Sequence, residues 1–305
     1  MSSLEGKVAV VTGAANGLGK AHALKLASLG ARVVVNDLGT AADGSGRDES
    51  AARAVVEEIQ KAGGEAVPHF GDVADWNDAQ ALIETAVDSF GDMNLLILNA
   101  GFTRDGILFN MSEEDFDSVV RVHLKGHFAP MKFAASYWRE KSKKDGAPIY
   151  GRLISTASES WMIGTPGQPN YAAAKAGIVS LTMSTAKVIH KYGATANVVM
   201  PRARTRMTLQ GPMGIFFQKP EEGFDNMDPE NSTPLFAYLC TPEAGNITAS
   251  LFIVWGKQVQ VIGRIKPEAT FDNDEPWTPE NIHAHLGPYF EKKEPIVDGF
   301  PVPEV

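Results

Sequence analysis

The sequence predicts an α/β fold: a doubly wound parallel sheet, one domain with helices on both faces, followed by a C-terminal extension. Three observations carry this. Short apolar strand candidates alternate with helical stretches along most of the chain, a pattern that implies parallel strands joined by right-handed crossovers. The first strand candidate runs directly into a glycine-rich turn, and the second ends in an acid.

Residues 7–11 are the first strand, and Thr12-Gly13-Ala14-Ala15-Asn16-Gly17-Leu18-Gly19 is the turn that opens the first helix. Glycines let the backbone bend sharply and approach a pyrophosphate, and the free N–H groups of the helix favour an anion. The spacing is Gly-x3-Gly-x-Gly, a variant of the Rossmann fingerprint. The second strand, 31–36, delivers Asp37 about 20 residues past the glycines, where a ribose-binding carboxylate belongs. Such a carboxylate accepts from both adenosine ribose hydroxyls and repels a 2′-phosphate. Asn16 and Leu38 are uncharged, so neither position offers a cation for an extra phosphate. The expected cofactor is therefore NAD rather than NADP.

Further strands are expected at 65–70, 93–98, 151–155, 194–200 and 251–255. In such a sheet ligands gather at the carboxyl ends of the strands. Asp72 and Val73 follow the third strand, Asn99-Ala100-Gly101 the fourth, Ser158 the fifth and Pro201 the sixth. Helices 51–62 and 76–90 have the mixed pattern of ordinary covering helices. A long helix is expected over 112–141, capped by Ser112, with Phe116, Val119, Val120, Leu124 and Phe128 as its apolar stripe and a bend at Pro130. Helix 170–191 is apolar on most of its circumference, which suggests burial against another subunit and hence a homodimer or homotetramer. Two stretches break the pattern: a polar loop at 38–48 and a long insertion at 202–232, a candidate lid. The domain boundaries expected are 1–263 for the catalytic domain, including the 202–232 loop, and 264–305 for a proline- and acid-rich extension with one short helix near Thr278.

With 305 residues and 44% hydrophobic content the chain can bury a substantial core. No apolar run approaches the ~20 residues of a membrane span, and the first residues lack the marks of a signal peptide. A cytoplasmic protein is expected, in keeping with a single cysteine, Cys240. The net charge of -9 argues against nucleic-acid binding.

Tyr171 and Lys175 are four apart on a predicted helix and so project from one face. A free phenol titrates near ~10, and an adjacent ammonium together with a positive nicotinamide ring favours the phenolate, which then removes the hydroxyl proton of an alcohol as hydride leaves the same carbon. Ser158 precedes Tyr171 by thirteen residues and follows a buried strand.

Taken together, the glycine loop at 12–19, Asp37, Asp72-Val73, Asn99-Ala100-Gly101, Ser158, and Tyr171 with Lys175 resemble the short-chain dehydrogenases/reductases of the ordinary type, over residues 4–262. The resemblance implies that Ser158 hydrogen-bonds the substrate oxygen, that Tyr171 is the acid/base and that Lys175 binds the nicotinamide ribose. The nicotinamide contact is assigned to Pro201 and Thr205. Three positions depart from the family pattern: Leu98 replaces the first asparagine of Asn-Asn-Ala-Gly, His123 stands where a catalytic asparagine is expected, and Arg202 follows Pro201 where the family usually has glycine, which bears on the nicotinamide contact. Val122-His123-Leu124-Lys125-Gly126, Val35-Asn36-Asp37-Leu38-Gly39 and Arg206-Met207-Thr208 are similar to stretches of the (3R)-hydroxyacyl-CoA dehydrogenase part of multifunctional enzyme type 2 and of some 17β-hydroxysteroid dehydrogenases. That likeness implies a proton relay through His123 or its backbone, and a 3-hydroxyacyl-CoA or steroid-like substrate.

His123 and His127 are also four apart, but no third ligand is near and the chemistry needs no metal. Arg202, Arg204 and Arg206 alternate, and in an extended segment they face one side, where they hold an anion such as a CoA phosphate or pair with acids such as Asp225. Met213, Ile215, Phe216, Phe217 and Phe224 are candidates for the wall of an apolar substrate site. Two other functions fit parts of the pattern: an NADPH-dependent acyl-carrier-protein ketoreductase, against which Asp37 argues, and a non-catalytic NAD-binding regulatory protein, which has no need of Ser158, Tyr171 and Lys175 together.

Overall fold

The computed structural model describes residues 3–209 and 212–294, the side chains at 212 and 213 excepted. Parts of the expected lid and extension, residues 210–211, the Met213 side chain and 295–305, lie outside the described residues. The chain divides into two compact units, Met1–Ile262 and Gly263–Val305.

The first unit is built on eight strands: β1 (Val8–Thr12), β2 (Arg32–Asn36), β3 (Ala66–His69), β4 (Leu95–Leu98), β5 (Gly151–Thr156), β6 (Ala194–Pro201), β7 (Leu251–Trp255) and β8 (Gln258–Ile262). They form one sheet in the order β3-β2-β1-β4-β5-β6-β7-β8, parallel except for β8. The chain reverses its direction of winding between β1 and β4, the switch point at which such sheets bind ligands. The strand β8 was not expected from the sequence. It returns through the turn at Gly256 (φ +51°) and alternates glutamine with Val259 and Val261, which are exposed. A half-exposed edge strand of five residues lacks the continuous apolar run that marked the others.

The parallel strands are buried on both faces, so neighbouring residues serve opposite layers. Ala9, Val11, Val33 and Val35 pack with Leu26 of α1 (Gly17–Ser28), Ile59 of α2 (Glu49–Lys61) and Phe236 of α8 (Thr233–Leu239). Val8, Val10, Leu96 and Leu98 face Leu82 of α3 (Trp76–Phe90), Met131 and Trp138 of α5 (Gly126–Asp145) and Ile189 of α7 (Pro169–Ile189). Each such side chain contributes about 1.5–3 kcal/mol by leaving water.

The long helix differs from its expected form. Ser112 caps α4 (Glu113–Val120) as predicted, accepting from the Asp115 N–H, but a π turn at Arg121–Lys125 then joins it to α5, with the Gly126 N–H bonded back to Arg121 O. The irregularity thus lies before Pro130, which sits inside α5. The extra residue shifts the phase of the inward face. Val119, His123 and His127 are buried, whereas Phe116 and Phe128, expected in the apolar stripe, are 41% and 43% exposed. In α7 most apolar residues are already buried within the chain; the outward positions are the small Ala173, Ser180 and Ser184, with Lys187 and Val188 exposed in the last turns. The remaining helix of the first unit, α6 (Ser160–Ile163), is a single turn after β5. The second unit holds α9 (Pro279–Phe290), opened by a capping box between Thr278 and Asn281.

At the amino ends of the strands Asn94 ties three of them together. Its side chain accepts from Val8 N (2.9 Å) and donates to Tyr150 O (3.3 Å), while its backbone pairs with Val8 and Arg152. Replacing Asn94 with Ala leaves the Val8 donor buried and unpaired, and is expected to lower stability by about 1–3 kcal/mol in urea unfolding. A loss under about 0.5 kcal/mol contradicts this role.

Candidate active site

The turn from β1 into α1 forms a cradle. Gly13 (φ +62°) and Gly17 (φ +50°) adopt left-handed backbone, and a Cβ on Gly19 would stand 2.1 Å from Gly13 O. Asn16 is extended and makes no side-chain cap, so the first N–H groups of α1 are left for a ligand. Leu18 is half-buried in the first turn of α1. Gly13 lies so close to the end of β4 that a Cβ would meet Ala100 Cα at 2.7 Å. Thr12 Oγ1 holds the two strand ends together, accepting from Asn99 N (2.9 Å) and Ala100 N (3.2 Å). The Asn99 amide returns a bond to Gly13 O.

Asp37 sits where the sequence places it, at the end of β2. Its two oxygens accept from Ala15 N (2.9 Å) and Gly39 N (2.7 Å), which fixes the carboxylate against the cradle and leaves acceptor capacity on both oxygens. Asp72 accepts from Ala74 N and pairs with Arg121 at 2.6 Å, while Val73 is buried and packs against Gly126. A bend of glycines, uncapped helix N–H groups and a positioned carboxylate fit a dinucleotide by the chemistry of these donors and acceptors.

Beside the cradle, Ser158, Tyr171, Lys175 and His123 come together. Lys175 is 2% exposed, and its Nζ donates to Thr156 O at 2.7 Å and lies 5.2 Å from the Tyr171 ring centre. Burial pushes the lysine down to about 7. Burial raises the Tyr171 phenol to about 12, against the lowering effect of the Ser158 hydroxyl. Desolvation sets both directions because both groups are enclosed by protein; the expected phenolate rests in addition on a bound nicotinamide ring.

His123 is 1% exposed, with its ring edge-on to Tyr171 at 5.0 Å between centres. Its Nε2 lies 2.7 Å from Phe102 O. A carbonyl only accepts, so Nε2 carries the proton and Nδ1, buried without a partner, is the bare nitrogen. Burial and the neighbouring Lys175 hold His123 well below its ordinary pKa, and His127 is pushed down to about 3 for the same reasons. The ring fits only because residue 101 is glycine: a Cβ there would stand 2.0 Å from His123 Cε1.

Sequence reasoning missed Asn170. It is buried at the start of α7, donates to Arg104 O and Asp115 O (both 3.0 Å), and accepts from the Tyr171 N–H (2.7 Å), which sets the entry angle of the catalytic helix. Its position next to Tyr171, before an alanine-rich run, was the available signal. An apolar rim was also missed: Ile107, Leu108 and Phe109 are 49%, 72% and 83% exposed on a turn whose Gly106 N–H bonds to Gly167 O, four residues before Tyr171.

After Pro201 the three arginines do not face one way. Arg202 makes a bidentate pair with Glu159 (2.5 and 2.7 Å), and Arg204 makes another with Asp225. Arg206 is exposed and donates to Thr40 O. Irregular backbone at 202–205, in place of an extended strand, removes the alternation on which the expectation of a common anion site rested. Thr205 lies against the cradle, 3.5 Å from where a Gly17 Cβ would be. In the insertion, Ile215, Phe216 and Phe224 are exposed.

The family profile described as short chain dehydrogenase matches residues 7–210. Hydroxyacyl-CoA dehydrogenase ChsB1 of Mycobacterium tuberculosis is 44% identical over 303 residues, covering 96% of this chain and 92% of that protein. Peroxisomal multifunctional enzyme type 2 of Drosophila melanogaster is 42% identical over 236 residues, covering 77% of this chain but only 37% of that protein. The crystal structure of a short chain dehydrogenase from Mycobacterium avium superposes with a TM-score of 0.85 at 42% identity, covering 99% of this chain and 100% of that one.

Because the native pKa of Lys175, about 7, lies below its ordinary 10.5, the unfolded chain holds a proton between these values that the native site lacks. Stability contributed by this group therefore rises with pH across that window, by up to about 1.4 kcal/mol per unit. Above about 9 the Cys240 thiol, raised from 9.0 to about 12, begins to oppose it. Thermal unfolding at pH 7.5 and 9 is expected to show the rise in the ligand-free protein and not in Lys175→Met. Equal pH slopes in both contradict the burial argument.

Proposed function

The chain belongs to the short chain dehydrogenase family, and from that premise we propose that it is an NAD-dependent oxidoreductase interconverting a secondary alcohol and its ketone, with a 3-hydroxyacyl-CoA as substrate. The convergence of Ser158, Tyr171 and Lys175 beside the glycine cradle carries the reading. The hydroxyacyl-CoA dehydrogenase activity for which the ChsB1 relative is named supports the acyl-CoA class, and the exposed apolar rim at 107–109 suits an acyl chain better than a small alcohol.

The dinucleotide, when bound at Gly13, Asn16, Gly17, Leu18, Gly19, Asp37, Asp72, Val73, Asn99, Ala100, Gly101, Pro201 and Thr205, supplies the hydride acceptor or donor. In alcohol oxidation the Ser158 hydroxyl donates to the substrate oxygen and Tyr171 Oη takes the hydroxyl proton. Tyr171 then holds that proton and returns it in the reverse direction. Lys175 holds positive charge at Nζ beside the phenol, which favours the phenolate whenever Lys175 is protonated. His123 acts differently from a relay through its ring: Nε2–H points at a carbonyl that accepts no proton, so the neutral imidazole positions the Tyr171 ring by edge contact. Asp37 favours NAD because a 2′-phosphate beside its carboxylate places two anions together.

A homodimer or homotetramer is in keeping with the small-residue outer face of α7. A reducing compartment, the cytoplasm in the first instance, agrees with the free and buried Cys240.

Tyr171→Phe is expected to keep NADH affinity within about twofold and to lose on the order of 10²–10⁴ in kcat with a 3-hydroxyacyl-CoA, read from NADH absorbance. Turnover equal to that of the unaltered protein eliminates the proposed proton transfer. Cofactor choice is tested separately. NAD is expected to be used at least tenfold better than NADP in kcat/KM, with Asp37→Ser narrowing the gap. A tenfold preference for NADP overturns the assignment.

A further inference from the structure

Of the three alternating arginines, two are spent on carboxylates. Arg202 and Arg204 are 16% and 17% exposed and paired with acids that are each 12% exposed, so neither guanidinium leaves its partner cheaply. Arg206 differs. Among the described residues no carboxylate pairs with it, and its hydrogen bond to Thr40 O is a long one, 3.4 Å. A contact at that distance is weak and readily exchanged for a better acceptor.

Its position is defined by residues at both ends. At the backbone, the preceding Thr205 packs against Gly17 of the cradle. At the tip, Thr40 lies three residues beyond Asp37, whose carboxylate is itself bonded to Ala15 of the cradle. The loop that carries Thr40 is closed on itself by the Asp48 N–H to Leu38 O bond and clamped again by Arg104 on Asp43 O. The Arg206 side chain therefore spans from the phosphate cradle to the loop that follows Asp37. A planar guanidinium matches phosphate oxygens with two parallel donors, and none of the cradle's own ligands carries positive charge.

We propose that Arg206 is a phosphate ligand of the bound dinucleotide, exchanging the Thr40 carbonyl for the diphosphate and so strapping it into the cradle. The inference rests on the dinucleotide reading above and adds to it a cationic residue on the lid side. NADH titration by fluorescence, on the full-length protein, tests it. Arg206→Gln is expected to weaken NADH tenfold or more, Arg206→Lys to recover part of that loss, and the dependence of affinity on salt to become shallower in Arg206→Gln. The loss carries over to ADP-ribose as competitor but not to adenosine, which has no phosphate.

Unchanged NADH affinity overturns the proposal. So does an equal loss for adenosine, which assigns Arg206 to holding the 38–48 loop, and so does an effect confined to the KM of a CoA thioester with none on its N-acetylcysteamine analogue, which assigns it to the substrate. Failure of the unaltered protein to bind NADH removes the dinucleotide reading itself, and this inference with it. Equal melting temperatures of variant and parent confirm that an exposed residue was changed without loss of fold.

Discussion

The tripeptide Asn99-Ala100-Gly101 is pressed from two sides, and the site depends on that compression. On one side Gly13 approaches Ala100 closely enough to forbid a side chain; on the other the His123 ring occupies the space a Cβ on Gly101 would need. Thr12 sews the same segment to the cradle through two backbone N–H groups. The segment thus touches both the phosphate cradle and the imidazole against which Tyr171 rests. Its rigidity comes from below, where β1 and β4 are buried on both faces and Asn94 fixes their amino ends. A displacement of β4 relative to β1 moves cofactor geometry and acid/base geometry together.

Lys175 shows what the arrangement costs. Most buried ammonium groups sit beside a carboxylate; here the hydrogen-bond acceptor is the backbone carbonyl of Thr156, and the neighbours that sense it are imidazoles kept neutral by the same enclosure. In the free site burial thus favours the neutral form of both the phenol and the amine. A group destabilised in this way is poised to gain from any ligand that brings hydroxyl acceptors to it. Binding strength and acid/base competence are then coupled through one amine.

Much of this was legible in the residues. The glycine spacing, Asp37, and the four-residue interval from Tyr171 to Lys175 are local signals, fixed by turn chemistry and helical period, and they survive into the structure because nothing distant alters them. The strands were legible where burial on both faces makes them uniformly apolar; β8, exposed along its length, offered only a weak alternation. For the arginine trio the alternative of pairing with acids holds for Arg204, which meets Asp225 as expected, while the common anion site does not form. Its reading assumed extended backbone past Pro201, and only tertiary contact with Glu159 and Asp225 decided where each guanidinium turned. The direction of the Tyr171 and Lys175 shifts was illegible as well, since sequence gives the neighbours of a charge but not the water it has lost.

The π turn at Arg121–Lys125 also explains why the stripe read for the long helix was out of step beyond it, at Phe128; the exposed Phe116 precedes the turn. One surplus residue rotates everything after it by about 100° relative to an uninterrupted α-helix. That rotation turns His127 inward and Phe128 toward solvent. The helix thereby works like a cam: Val119 in its amino half and His127, Met131 and Trp138 in its carboxyl half all face inward, and the offset between the halves is a single amino acid. Excising one residue from this stretch would present a benzyl group where an imidazole now stands, without altering any other letter of the chain.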